Sequence, residues 1–392
     1  MDSDQLLKIV ARGEDSRHQF KVEITSATAL AQELVALSNS GGGSVLVGVA
    51  DDGSIPGLTA SQVRSLNQLI SNASTNCVRP AINVTTENVA GPSATVVVIS
   101  VPDGLAKPYQ DNSGAFWVKS GSDKRRVTAR EELQRLFQSA LLIHADDVPV
   151  PGASIADLDL WAFRDYYKAR FGETLDEEPE VLQRIASNMR LLSGESLTVA
   201  GVLLFSKSPQ SFLPVFHVKA VWYPGPDIHE ANYIDSANYE GPLKRQFDES
   251  LGFLLRSIHW RQFGRGVNSV GQPEVPRLVL EELLANAFVH RDYFVSAPIR
   301  LFVFSDRIEL ISPGHLPNNL TVANIRAGNS NIRNPVLASH ANHLLPYRGL
   351  GTGILRALRE YPEIELEDDR DGNQFRVVIR RKPYVESTQG PA

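Results

Sequence analysis

The feature that most constrains this chain is a set of short, dense apolar runs rich in β-branched residues, alternating with helical patterns. SVLVGVA (44–50), ATVVVISV (94–101), PIRLFVFS (298–305) and FRVVIRRK (375–382) are all of strand length, and the first two are closed by the turn signals DDG and PDG. Runs of this kind are expected as strands of a sheet with well-covered faces. Between them lie helical patterns at 27–39 (ATALAQELVALSN, ended by SGGG), 128–142 and 277–289. The expected fold class is α/β, in the mixed α+β sense.

With 392 residues the chain exceeds one ordinary core. Two proline- and glycine-rich breaks, ADDVPVPGASI (145–155) and GRGVNSVGQPEVP (264–276), divide it. The expected domains are 1–142, a mostly helical bridging region at 157–265, and 275–382. The bridge contains two strand-like runs, TVAGVLLF (198–205) and VFHVKAVWY (215–223), and its aromatics Trp161, Tyr166, Tyr167 and Phe171 recur at a helical spacing expected of a core. A hydrophobic fraction of 42% suits a globular protein, and the net charge of −6 argues against non-specific coating of nucleic acid while leaving room for a local basic face. Cys77 is the single cysteine, which excludes an internal disulfide or a cysteine zinc site. The charged N-terminus has no signal-peptide pattern and no apolar run reaches membrane length, so a cytoplasmic location without membrane association is expected.

Chemistry concentrates at both ends. In LEELLANAFVHRDY, Glu282 and Asn286 are four residues apart, on one helical face, with His290 a further turn along. Such an amide oxygen can ligate Mg²⁺ and such a carboxylate can orient a water; the alternative is a polar stripe facing solvent. ISPGHLP (311–317) follows a strand as a tight turn, and RGLGTGI places Gly349, Gly351 and Gly353 ahead of the helical run ILRALREY. Glycines there let backbone N–H groups approach an anion at a helix N-terminus.

This order of motifs resembles the Bergerat-type ATPase fold of gyrase, Hsp90-type chaperones, histidine kinases and MutL proteins, over residues 275–382. The resemblance implies an α/β sandwich that binds ATP with Mg²⁺. Asn286 would be the metal ligand and Glu282 the catalytic base. Ser312, Pro313 and Gly314 stand at the Asp-x-Gly box, where Ser312 replaces the Asp that accepts the adenine amino group. Gly349, Gly351 and Gly353 match the phosphate-side glycine box. The loop from Asn318 to Tyr347 would be the ATP lid, with Arg333 as a phosphate contact. The wording of NAFVHRDY and RIELISPGHLP is most similar to the divergent, helicase-related ATP-binding domain of bacterial transcriptional regulators.

At the other end, GEDSRHQFK followed by LVALSNSGGGSVLVGVADDGSIPGL resembles the Schlafen-type AlbA-like domain. In nuclease members three acidic residues hold divalent metal; the matching positions are Glu14, Gln19 and Asp52. The amide at position 19 removes one charge from a chemistry that relies on several carboxylates. Lys119, Lys124, Arg125, Arg126, Arg130 and Arg135 cluster beside Phe116 and Trp117, and Lys21 follows the acidic motif. The strip suits phosphate contacts with aromatic stacking, and equally a solvated face, since Asp123, Glu131 and Glu132 are interspersed.

Together the two resemblances imply an ATP-responsive protein that binds DNA or RNA, a transcriptional regulator with a C-terminal nucleotide switch, homo-oligomeric, with at most slow ATPase activity. The alternatives are a metal-dependent Schlafen-like nuclease gated by ATP, of use in phage defence and disfavoured by Gln19, and a non-enzymatic scaffold with decayed sites.

Overall fold

The computed structural model describes residues 2–92, 94–140, 142–228, 232–262, 271–317, 320–349 and 351–381. The chain divides into two compact units, Met1–Ile143 and His144–Ala392. Both mix helices with sheet, as the alternation of runs predicts, and no helix among the described residues is long and apolar enough to cross a membrane.

In the first unit, helix α1 (Ser3–Arg12) precedes strand β1 (His18–Lys21), helix α2 (Ala27–Asn39), strand β2 (Gly43–Val47) and helix α3 (Ala60–Asn76). Strands β3 (Thr85–Ala90) and β4 (Thr95–Val101) complete a sheet ordered β1–β2–β4–β3, parallel between β1 and β2 and antiparallel elsewhere. Its inner strands show why the β-branched runs do not alternate with polar residues. Val45, Val47, Val97 and Ile99 pack with Leu30, Leu34 and Leu66 of α2 and α3, while Leu46, Val96 and Val98 pack with Leu6 and Val10 of α1. A strand covered on both faces reads as one apolar run. A hairpin, β5 (Trp117–Ser120) with β6 (Asp123–Arg126), then leads to α4 (Arg130–Ser139). Ahead of it, buried Asp111 accepts from the backbone N–H groups of Ser113 (2.9 Å) and Ala115 (3.0 Å) and from the Trp117 indole (2.8 Å).

The second unit begins inside the expected linker, which is built into the structure. Asp146 is fully buried and accepts the backbone N–H of Leu337 at 2.8 Å. Val150 and Ala153 are buried in the strand Pro149–Ser154, which pairs with Ser196–Thr198. Pro and Gly in this stretch mark sharp bends rather than a free tether. Helices α5 (Leu160–Phe171), α6 (Pro179–Asn188) and α7 (Val199–Phe205) follow. Helix α7 is the run expected as a strand; all seven of its residues are buried, so its apolar pattern carries no period, and Thr198 caps it by accepting the Gly201 N–H at 3.1 Å. Of the aromatics expected in the core of α5, Tyr166 is buried, whereas Trp161 is 71% exposed and Phe171 is also exposed.

Strands β7 (Val218–Trp222) and β8 (Asp235–Tyr239) and helix α8 (Leu243–Ser257) come from the stretch expected to bridge the ends. They join the C-terminal elements in one sheet. After α9 (Arg277–His290) come β9 (Ile299–Val303), β10 (Arg307–Pro313), α10 (Val322–Arg326), α11 (Pro335–Leu344), α12 (Gly353–Glu360), β11 (Ile364–Asp369) and β12 (Gln374–Arg380). The six strands are ordered β8–β7–β9–β10–β12–β11, parallel only between β7 and β9. Helix α9 packs against α8, α11, α12 and β10, and nine of its residues are buried. Residues 264–270 of the second proline- and glycine-rich break, and residue 382 of the expected C-terminal domain, lie outside the described residues.

Candidate nucleotide and nucleic-acid sites

Glu282 and Asn286 do not face solvent. Glu282 is 4% exposed, inside a helix enclosed on several sides. Helix α12 lies directly on this part of α9. The approach requires a residue without a side chain, since a Cβ on Gly353 would run into the Glu282 carboxylate and sit 3.3 Å from the Asn286 amide nitrogen. Gly351, at φ +70°, is equally fixed, because a Cβ there would stand 2.6 Å from the Gly328 carbonyl oxygen. The glycine turn, the carboxylate and the amide are thereby brought to one place. Gly349, at φ +68°, lines the same cavity.

Three side chains missed in the sequence complete this end. Arg356, one turn after Gly353, donates to the Glu282 carboxylate, and Arg348 lines the cavity beside it. Burial raises the Glu282 pKa, and Arg356 pulls it back. Tyr347 meets His290 Nε2 at 3.3 Å, and burial pushes the His290 pKa down to about 4, so His290 is neutral at physiological pH. The available signal for Arg356 was its spacing of three from Gly353, which places both on one face of α12.

The other end of the cavity is apolar, walled by Leu310, Ile325, Phe375 and Val377, and the whole opens to solvent. Ser312, opposite Phe375 in the sheet, donates its hydroxyl proton to the Ala287 carbonyl at 3.1 Å, leaving its oxygen able to accept another hydrogen bond. Gly314 follows at φ +96°, where a Cβ would strike the Arg333 guanidinium and Asp292. Arg333 lies at this end, apart from the glycine turn in its bonding. Its guanidinium donates to the His315 carbonyl at 2.6 Å and faces Asp292 at 3.6 Å. Asn318, the expected start of the lid, lies outside the described residues; within the expected lid are α10 and α11.

An apolar wall beside a few polar groups is the usual make-up of a small-ligand site. The donor set for Mg²⁺ is sparse. The Asn286 amide nitrogen donates to the Glu282 carbonyl at 2.6 Å, and its oxygen has no hydrogen-bond partner among the described residues. Glu282 is engaged by Arg356. One neutral oxygen fits Mg²⁺ as an ion carried largely by phosphates and water.

In the first unit, Glu14 and Gln19 come together and Asp52 does not join them. The Gln19 amide and the Phe20 N–H (2.6 Å) both donate to Glu14, whereas Asp52 is exposed in its own turn and accepts from the Ser54 N–H at 2.9 Å. Among the described residues no group of three His, Cys, Asp or Glu side chains is placed to hold a metal ion. The metal implied by the nuclease resemblance therefore does not fit these residues. Lys119 donates to Gln19 Oε1 at 2.6 Å, and Lys124 to Glu33 at 2.8 Å. Glu33 was missed, although it is the lone charge in the apolar pattern of α2.

The basic strip is split by the alternation of the hairpin. Lys119 pairs with Lys124 and Trp117 with Arg126, so these four share one face while Arg125 lies on the other. Arg125 is held at the surface by Glu132 (2.8 Å). Arg126 is exposed, and neither its side chain nor that of Lys21 has a hydrogen bond or ion pair among the described residues.

Residues 14–128 match the family described as Schlafen, AlbA_2. Residues 296–379 match the family described as "Putative ATP-dependent DNA helicase recG C-terminal"; α9 precedes this match, so Glu282 and Asn286 rest on geometry alone. Among solved structures, the DIP2311 protein of Corynebacterium diphtheriae is 22% identical, with 97% of this chain and 80% of that chain covered at a TM-score of 0.49. The N-terminal domain of a RecG-related protein of Nitrosomonas europaea is 20% identical, with 33% and 96% covered at a TM-score of 0.25. No curated protein matches the chain. This chain thus carries a Schlafen-type AlbA_2 domain followed by a C-terminal domain of the recG-related family.

Proposed function

We propose that the chain is an ATP-responsive, cytoplasmic nucleic-acid-binding protein, a transcriptional regulator whose C-terminal unit is a nucleotide switch. The observation that carries this reading is the cavity that joins an apolar end to the cluster of Glu282, Asn286, Arg356 and the glycine turn. Adenine would lie between Leu310 and Phe375 with its amino group toward Ser312, and the phosphates would meet the first turn of α12. Bound Mg²⁺ would neutralise phosphate charge beside Asn286. Within this chain, Gly351 and Gly353 give the backbone its close approach, and Arg356 must release Glu282 before that carboxylate can orient a water. Turnover is therefore slow. The lid expected from Asn318 to Tyr347 would change its arrangement on ATP, shifting the population between two states, and would support homo-oligomer formation. Lys21 and Arg126 are among the cations of the first unit available for phosphates.

The test is thermal unfolding with ATP, with and without Mg²⁺, beside DNA and RNA titrations. A ligand that binds only the native state raises the melting temperature by mass action. Asn286→Ala should remove most of the Mg²⁺-dependent part. Lys21→Ala with Arg126→Ala should weaken nucleic-acid binding and lower its salt dependence by about one unit of slope per lost contact. No shift at millimolar ATP would leave the scaffold reading in its place.

A further inference from the structure

The acidic cluster of the first unit already contains a cation. The Lys119 ammonium donates to Gln19 Oε1 at 2.6 Å and to the Ser122 carbonyl, and the carboxylates that act on its charge are Glu33, Glu14 and Asp123. One oxygen of Glu14, Oε1, accepts from both the Gln19 amide and the Phe20 N–H. Glu33, 6% exposed, gives one oxygen to Lys124, and its other oxygen is buried without a hydrogen-bond partner. The ammonium groups of Lys119 and Lys124 thus already offset carboxylate charge in this part-buried cluster, so an additional divalent ion would meet their repulsion.

We infer that Lys119, its ammonium held on Gln19 beside Glu14 and Glu33, supplies within this acidic cluster the positive charge that a divalent ion would otherwise bring, and that Lys119 and Gln19 together keep this unit from taking up metal. Three observations converge on this. Gln19 presents its amide oxygen to the ammonium and its amide nitrogen to Glu14, an arrangement that a carboxylate at position 19 could not make. Lys119 and Lys124 are directly paired across the hairpin, so one turn delivers both ammonium groups. The unpartnered Glu33 oxygen is a ligand atom left over, of a kind rarely buried without a partner. Removing the ammonium and restoring a carboxylate would set a second acidic side chain against Glu14, with the spare Glu33 oxygen in the same cluster, and carboxylate oxygens are the donor type that hard divalent cations select.

The experiment uses the full chain and Mn²⁺ as the probe, with bound Mn²⁺ read by electron paramagnetic resonance and by the shift in melting temperature. Wild type should show no Mn²⁺ binding that depends on Glu14. The double variant Lys119→Met with Gln19→Glu should bind Mn²⁺ at least tenfold more tightly than wild type, and Glu14→Gln in that background should abolish the gain. A folded double variant, judged by circular dichroism, with unchanged Mn²⁺ affinity would overturn the inference. So would Mn²⁺ binding by wild type that disappears in Glu14→Gln. Should the double variant fail to fold, Gln19→Glu alone decides: with Lys119 present the new carboxylate should pair with the ammonium and Mn²⁺ affinity should stay at the wild-type level, and a tenfold gain would refute the idea. These readouts are independent of nucleic-acid binding.

Discussion

Arg356→Ala tests whether the carboxylate beneath the glycine turn is kept charged by a single neighbour. Glu282 is almost sealed from water, and its pKa is raised by burial and lowered by Arg356 and, more weakly, Arg348. Breaking a buried ion pair by deleting one partner costs about 3–5 kcal/mol. The Arg356 side chain is 31% exposed, so solvent screens part of the interaction. The expected loss is about 1–3 kcal/mol at pH 8. The sign of its pH dependence follows from the acid. A carboxyl whose folded pKa lies above its unfolded value contributes most below the unfolded pKa and loses that contribution as pH rises through the folded one. Without Arg356 the folded pKa of Glu282 moves further up, so the deficit should grow from pH 5 to pH 8. Glu282→Gln removes the charge, and adding Arg356→Ala to it should cost no more than about 0.5 kcal/mol. Urea unfolding of the four proteins at both pH values closes the cycle. A coupling energy below about 0.3 kcal/mol at pH 8 would refute the pairing.

Other perturbations reach different parts of the fold. His340 is buried, with Nε2 donating to the Met189 carbonyl (3.1 Å) and Nδ1 accepting from Tyr166 (2.6 Å) and Arg170 (2.8 Å). Burial, assisted by Arg170 and His343, brings its pKa down to about 4, so it holds a neutral ring whose contribution is full above pH 6.5 and falls as pH drops toward 4. Against His340→Gln, wild type should therefore lose up to about 3 kcal/mol more over that window in acid unfolding curves. Gly351→Ala forces a side chain into left-handed backbone against the Gly328 carbonyl. It should cost about 1–2 kcal/mol from the conformation alone, seen in thermal unfolding, and should abolish the ATP-dependent shift. Asp111→Ala strands the donors of Ser113, Ala115 and Trp117, and should destabilise the first unit by about 2–4 kcal/mol in urea unfolding with a change in tryptophan fluorescence.

Where the sequence carried an unambiguous period, the structure follows it. The helices at Ala27–Asn39 and Arg277–His290 lie where their patterns place them, because each combines length with a clear stop or start. Periodicity is silent when a segment is apolar all round, which is why α7 reads as a strand; Thr198, a good capping residue, was the usable sign. Composition misled at 145–155, where Pro and Gly concealed the buried Asp146, Val150 and Ala153. At the nucleotide site, the spacing of Glu282 and Asn286 was sufficient to group them, since one helix fixes both. Arg356 reaches Glu282 through the packing of α12 on α9, and its spacing from Gly353 was the one local sign of that contact. The basic strip shows the converse. Neighbours in sequence are sent to opposite faces by a strand, so linear clustering overstated a common surface.

The burial of Asp146 dictates where this protein can be cut. Helix α11 starts with Pro335 and has no side-chain cap of its own from Asn334; the carboxylate of Asp146, 191 residues earlier, accepts from its Leu337 N–H. His144 Nδ1 lies 3.0 Å from the Arg333 carbonyl just ahead of that helix. An expression fragment begun at residue 157 would discard both contacts and the strand Pro149–Ser154 with them. Its first helical turn at Pro335 would fray, and the opening would spread to the Tyr166–His340 bond. A C-terminal fragment that keeps both contacts has to begin at or before His144, and through Arg333, which lines the cavity, their loss would reach the cavity wall.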